Sequence, residues 1–256
     1  MRQISSFYTM LKSYLHRFYP WQALKLLSKS TRNPHPCIPE PQQLAENAVK
    51  QVESILTAVY HSHAVKEDPN ICLKKSLGHQ LQISPSSIQG AGMGVFLKGS
   101  CKKGSIVCFY PGTIYLPSEP LLFASIANRY ILKCYDGVFV DAKPTGLSGR
   151  IHKSIYHREN WPGAIQISDA TWMTKTPRNP LAVGHIVNNG TTEYQPNVFY
   201  HEIDIPPVFP RDLRQYIPNI YWSSIDPLTT TTRMVGLIAT RDIHNEELFS
   251  VYMDTV

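Results

Sequence analysis

NPLAVGHIVNNGTTEYQPNVFY, residues 179 to 200, decides how the rest of the chain is read. The apolar, β-branched run Val183 to Val187 predicts a strand that ends abruptly at Asn188-Asn189-Gly190. Those three residues predict a turn that tolerates φ > 0. Pro196-Asn197 then opens a new apolar segment, and Val198 to Ile205 predicts the next strand. Paired asparagines beside a tight turn present donors, acceptors and bare backbone to whatever lies next to them. Taken alone, the stretch also fits an ordinary β-turn.

Working outward, Arg233 to Thr240 predicts a strand, and Arg241 to Leu248 a turn into a last strand ending Phe249-Ser250-Val251-Tyr252. Upstream, three glycines in Gly90-Ala91-Gly92-Met93-Gly94 lead into the apolar Val95-Phe96. A dinucleotide fingerprint would need a helix here. Instead Lys98-Gly99 and Lys102-Lys103-Gly104 read as turns and Ser105 to Tyr110 as a strand, so that reading fails on context. Tyr130 to Cys134 and Asp136 to Ala142 predict two strands around an Asp-Gly turn. Residues 143–178 read as a polar inserted subdomain with Trp161 and Trp172 in its core, and 206–232 as a Pro-rich insert. The domain thus expected spans 79–254 and is α+β, mostly β.

Residues 1–78 read as a helical extension. The first 39 residues carry Arg2, Lys12, Arg17, Lys25, Lys29 and Arg32 and no acid. Apolar residues at Ile4, Phe7, Leu11, Tyr14, Leu15 and Phe18 give an amphipathic pattern, broken at Pro20-Trp21. Three readings stand: a mitochondrial transit peptide, a basic helix for nucleic acid or an anionic membrane, or a helix packed on the domain. Four prolines between Asn33 and Pro41 mark a linker, and Gln42 to His61 predicts a further amphipathic helix.

The 256 residues, 43% hydrophobic, suffice for one sizeable domain plus that extension. A net charge of +6 suits an acidic or nucleic-acid-associated partner, and equally a basic surface kept for solubility. No apolar run approaches the ~20 residues of a membrane helix. Cys37, Cys72, Cys101, Cys108 and Cys134 form no C-x-x-C pair, and their odd count without a secretory apolar run predicts free thiols in a reducing, intracellular compartment, with nucleus, cytoplasm and mitochondrion all open. His61 and His63 lack a cysteine or acid at ligand spacing, so they read as surface residues and no metal site is expected.

Three segments stand in order: Gly92-x-Gly94-Val95-Phe96, Asn188-Asn189-Gly190 followed by Pro196-Asn197, and Arg241-Asp242-Ile243-x-x-x-Glu247-Leu248-x-x-x-Tyr252. Together they resemble the SET domain of protein lysine methyltransferases, over roughly residues 81 to 254. Arg17 to Trp21 and the ending Glu246-Glu247-Leu248-Phe249-Ser250-x-Tyr252 narrow the resemblance to one branch of that family. The resemblance implies small curved sheets with a C-terminal pseudoknot. It implies S-adenosylmethionine as methyl donor and a protein or peptide carrying the acceptor lysine as partner. By position, it places the backbone of Gly92, Met93 and Gly94, together with Asn188 and Asn189, at the donor. It makes Tyr252 the active-site tyrosine, also beside the donor, and puts Tyr110 and Tyr200 around the lysine channel. Each of these tyrosines also has a packing account, since strands favour tyrosine.

This sequence departs from the family pattern at Asn189 and Gly190, which replace a His and a Ser or Cys, and in the extra residues Thr191 to Gln195. Ser250 stands where many members carry an aromatic, leaving the degree of methylation open. No Cys-rich tail follows Tyr252, so another element is expected to cover the site.

Overall fold

The structure, a computed structural model, describes residues 41 to 251, with side chains from residue 47. The basic N-terminal segment and Tyr252 lie outside the described residues.

Helix α1 (Pro41–Ala64) forms where the amphipathic spacing predicts it. It buries Ala48, Val52, Ile55, Leu56 and Val59, one face at helical spacing. Each of the Val, Ile and Leu side chains contributes about 1.5–3 kcal/mol through burial. Helix α2 (Pro69–Leu77) starts at the Asp68 cap, whose side chain accepts from the Asn70 amide, and stops at Gly78, φ 79°. Then come β1 (His79–Pro85), β2 (Met93–Cys101), β3 (Ile106–Tyr110), β4 (Gly112–Tyr115), helix α3 (Leu122–Ser125), β5 (Ile131–Lys133), β6 (Phe139–Asp141) and helix α4 (Gly146–Glu159). After 3-10 turns at Thr171–Met173 and Gly184–Ile186 follow β7 (Asn188–Asn189), β8 (Val198–Ile205), helix α5 (Arg211–Arg214), β9 (Asn219–Tyr221), β10 (Thr232–Ala239), β11 (Ile243–His244) and β12 (Phe249–Ser250).

Three small sheets result, in the orders β1-β2-β11, β3-β10-β8-β12-β7 and β5-β6-β4-β9. This is the mostly-β α+β arrangement that the short strand runs predict. Helix α1 packs on one face of the five-stranded sheet, with Ile106, Phe109, Ile203, Ile205 and Ile238. The opposite face, with Cys108, Tyr110, Val198, Val235 and Leu237, meets Val95, Leu97 and Leu248. The site lies on this second face.

Three local expectations are corrected. Val183 to Val187 is not a strand: the segment turns as a 3-10 helix tight under β3, where the Phe109 amide donates to Leu181 O at 2.8 Å. Gly184 fits there because a Cβ would come 2.8 Å from the Phe109 carbonyl oxygen. Asn188-Asn189-Gly190 does not form a positive-φ turn either; the two asparagines are strand β7, paired parallel with Phe249 and Ser250, and such a ladder needs extended backbone. Lys98-Gly99 lies inside β2, opposite Gln80 and His79. Of the two tryptophans, Trp172 is buried but Trp161 is 57% exposed, because it sits past the end of α4.

The four described cysteines, Cys72, Cys101, Cys108 and Cys134, are free thiols. His61 is exposed, but His63 stacks on Tyr216 at 5.4 Å and bonds to Arg178 O at 3.0 Å. Among the described residues, Cys134, Asp136 and Glu202 bring potential ligand atoms within 4.8 Å of one another. Arg233 already supplies the countercharge there, bonding Asp136 at 2.9 Å, Glu202 at 2.7 Å and Asp204 at 2.7 Å.

Candidate active site

The C-terminal segment is threaded between two parts of the chain that lie far from it in sequence. Leu248 N donates to Val95 O of β2, and Val251 N donates to Val198 O of β8. Asn197 clamps it from the side. Asn197 is fully buried, and its Oδ1 accepts from Phe249 N at 2.8 Å while its Nδ2 donates to Glu247 O at 2.8 Å. The Asn197 amide itself donates to Phe249 O at 2.9 Å. A single asparagine thus satisfies both directions of a strand edge that would otherwise be buried unpaired. The loop from Gly190 to Pro196 passes over this crossing, with Gly190 N donating to Ser250 O.

The threading draws most of the expected site residues into one connected chain. Tyr110 and Tyr200 meet edge to face, ring centres 5.7 Å apart. The Tyr110 hydroxyl donates to Tyr130 O at 2.8 Å, so its ring rather than its proton is available to a ligand. Burial raises the Tyr200 phenol above its ordinary pKa, against a hydrogen bond with Ser250 that lowers it. It stays a neutral donor near pH 7. Ser250 Oγ donates to Asn189 Oδ1 at 2.8 Å. Neighbouring Asn188 donates from Nδ2 to Met93 O at 3.0 Å, which reaches the glycine strand. At Gly92, φ +80°, the direction a side chain would take is open, and Met93 is 47% exposed. Bare backbone here, with the exposed Asn189 opposite, fits a ligand that needs close approach to main-chain groups. Tyr252 follows Val251, the last described residue.

Sequence reasoning missed four participants. Glu247 lies in the matched motif, yet its side chain was given no part. It folds back over Gly94, where a Cβ would collide with the carboxylate. Asn197 lies in the matched motif and opens an apolar segment, yet its side chain was likewise given no part. Tyr194, in the extra segment, donates to Ser87 O at 3.1 Å and packs on Phe249 at 5.3 Å. His185 packs between Tyr130 and Trp172, and burial lowers its pKa to about 4. No local pattern announces these roles, because each depends on a contact across more than 50 residues. An open groove of about 440 Å³ near Ile165, Ile225 and Leu228 is separate and includes none of these residues.

No family model matches the chain. Over 192 residues, 73% of its length, it is 44% identical to SET domain-containing protein 9 of Pongo abelii, covering 68% of that protein. It is likewise 44% identical over 192 residues to SET domain-containing protein 9 of Homo sapiens, covering 62% of it, so the chain spans just under two thirds of that relative. Among solved structures it is similar, distantly, to KRYPTONITE in complex with mCHH DNA, an H3(1-15) peptide and SAH, at TM-score 0.35 and 17% identity, over 72% of this chain and 26% of that one. With the ordered motifs joined in space and the identity this high, the chain belongs to the family of SET domain-containing protein 9.

Proposed function

We propose that this protein is an S-adenosylmethionine-dependent methyltransferase whose acceptor is a lysine side chain of a protein. The observation that carries the reading is the connected chain from Tyr110 and Tyr200 through Ser250 and the twin asparagines to Met93 and the glycine strand. It brings an aromatic, half-buried acceptor side next to an open main-chain donor side. S-adenosylmethionine, when bound, supplies an electrophilic methyl group.

The rest of the chemistry falls to the chain's own residues. An amine must be neutral to accept a methyl group, and a free lysine, pKa ≈ 10.4, is neutral in about one molecule in a thousand or fewer at pH 7. Desolvation against the packed rings of Tyr110 and Tyr200 lowers that value. The Tyr200 hydroxyl, held by Ser250, orients the amine. Gly92, Met93 and Asn189 offer backbone to the donor, and Asn188 supports the strand. Holding the reacting atoms in line is the main contribution. Tyr252 is proposed as the further active-site phenol beside the donor.

The chain would then carry the site on residues 79–254, with 1–78 as an extension. A second reading, a SET module that binds without catalysis, is favoured by the commitment of the Asn188 amide to Met93 and of Asn189 to Ser250. Incubation with methyl-labelled S-adenosylmethionine and cell extract separates the two. Transfer to lysine, lost on Tyr200→Phe or Tyr252→Phe, is the expected result. Donor binding without any transfer would favour the silent module, and transfer to histidine would overturn the choice of acceptor.

A further inference from the structure

Glu247 is a carboxylate with 4% exposure. It has no ion-pair partner among the described residues. Such a group is retained only when its oxygens are well satisfied. Its partners all belong to the donor side of the site. Oε1 accepts from Ser86 Oγ at 2.6 Å, and Oε2 accepts from Ser87 N at 2.7 Å. The Asn188 amide lies 3.5 Å from Oε1 while bonding Met93 O at 3.0 Å. The backbone of Glu247 forms a bridge with Phe96, so the side chain must cross Gly94 to reach Ser86. The position a Cβ would take at Gly94 is the position of this carboxylate.

The segment held in this way has little else to hold it. Between Ser86 and Gly92 the backbone bonds are Ser86 N to Gly92 O at 2.8 Å and Ala91 N to Ile88 O at 3.1 Å. Ser86 Oγ, which donates to Glu247, also accepts from Ile88 N at 3.1 Å. The Ser87 peptide is strapped on both sides, its N–H by Glu247 and its carbonyl by Tyr194 at 3.1 Å. Short bonds to a charged acceptor are the stronger kind.

We propose that Glu247 is a positioning residue for the methyl donor: its buried carboxylate fixes the Ser86–Gly94 turn and Asn188 together, so that the backbone of Gly92 and Met93 is presented in one geometry. This rests on the methyltransferase reading. It assigns Gly94 a different reason for being glycine than ligand approach, namely room for Glu247. The acceptor side, Tyr110 and Tyr200, shares no hydrogen bond with Glu247, so the consequence falls on the donor alone.

The test uses the full chain with Glu247→Gln and, as a milder variant, Ser86→Ala. Glutamine keeps the shape but carries no charge, so the short bonds at Ser86 Oγ and the Ser87 amide lose their charged acceptor. S-adenosylmethionine affinity by calorimetry should fall at least 10-fold in Glu247→Gln and several-fold in Ser86→Ala, with the thermal midpoint changed by no more than ~2 °C in Ser86→Ala. Hydrogen exchange without ligand should quicken at Ser87 and Ile88 and not in β3 or β10. Donor affinity within 2-fold of the unmodified protein in both variants overturns the proposal. If the unmodified protein binds no donor, the methyltransferase reading fails instead, and exchange alone decides: unchanged rates at Ser87 in Glu247→Gln then overturn the positioning role.

Discussion

Replacing Asn197 by alanine should release the C-terminal thread. Asn197 is fully buried and makes two side-chain bonds of 2.8 Å, to Phe249 N and Glu247 O. Truncation leaves a buried amide N–H and a buried carbonyl without partners, and each costs about 1–3 kcal/mol. The sum is about 4 kcal/mol, with the small cavity adding to it. Since Phe249 and Ser250 are short strand partners of β7 and β8, the loss should fall on local opening before global unfolding. Native-state hydrogen exchange reads it: a loss of about 4 kcal/mol corresponds to roughly 1,000-fold faster exchange at Leu248, Phe249 and Val251. Asn197→Asp adds a sharper check. Its carboxylate can still accept from Phe249 N but faces the Glu247 carbonyl, so this variant should be worse than alanine at pH 8 and recover toward pH 5, where a protonated acid can donate. Exchange at those amides within 3-fold of the unmodified protein in Asn197→Ala would refute the clamp.

Further predictions follow from three other contacts. His152 is buried, pairs with Thr113 at 2.9 Å and takes the Trp172 N–H at 3.2 Å, and burial lowers its pKa to about 3. The unfolded chain therefore binds the proton that the fold refuses, so stability falls as pH drops from about 6.5 toward 3. His152 alone should account for about 2 kcal/mol between pH 7 and pH 5, with His185 adding in the same sense. Denaturant midpoints across that range check it, and an equal slope in His152→Gln would contradict it. Arg233→Met should cost about 2–4 kcal/mol at pH 7, because Asp136, Glu202 and Asp204 lose their shared cation. The loss should shrink as pH falls and Glu202, whose pKa burial raises, protonates, and a pH-independent loss would show that packing, not charge, was removed. Gly94→Ala should abolish donor binding through collision with Glu247, and the double variant Gly94→Ala with Glu247→Ala should restore exchange protection in β2. Failure of the second change to relieve the first would place the clash elsewhere, on the Ser86 backbone.

Strand β8 could be read from the sequence to the residue because Pro196-Asn197 precedes its apolar start and Pro206 closes it, and the helix Gln42 to His61 nearly so because it has a regular hydrophobic period. The region from Val183 to Gly190 could not. Its β-branched residues speak for a strand, but Gly184 is pressed against the Phe109 carbonyl, a tertiary demand that overrides propensity. Asn188 and Asn189 have turn composition, yet the thread from Glu247 to Val251 offers them a parallel ladder that no local window contains. The same holds for the site. Asn188 and the glycines are expected there from the ordered motifs, and Tyr110 and Tyr200 from their position in the family resemblance. Glu247, Asn197 and Tyr194 could not, because their partners lie 50 to 161 residues away. Helix α1 shows the converse: its amphipathic face is legible, while its seat behind β3 and β8, on the face away from the site, is a matter of packing alone.

The central claim is that the glycine strand, the twin asparagines and the two tyrosines surround one pocket for a methyl donor. Amide resonances of the isotope-labelled full chain, followed while S-adenosylmethionine is added, test it most directly. Saturable shifts at Gly92, Met93, Gly94, Asn189 and Gly190, with none at Ile165 or Leu228 in the separate groove, are the predicted result. Shifts confined to that groove, or none at millimolar donor, would contradict the account.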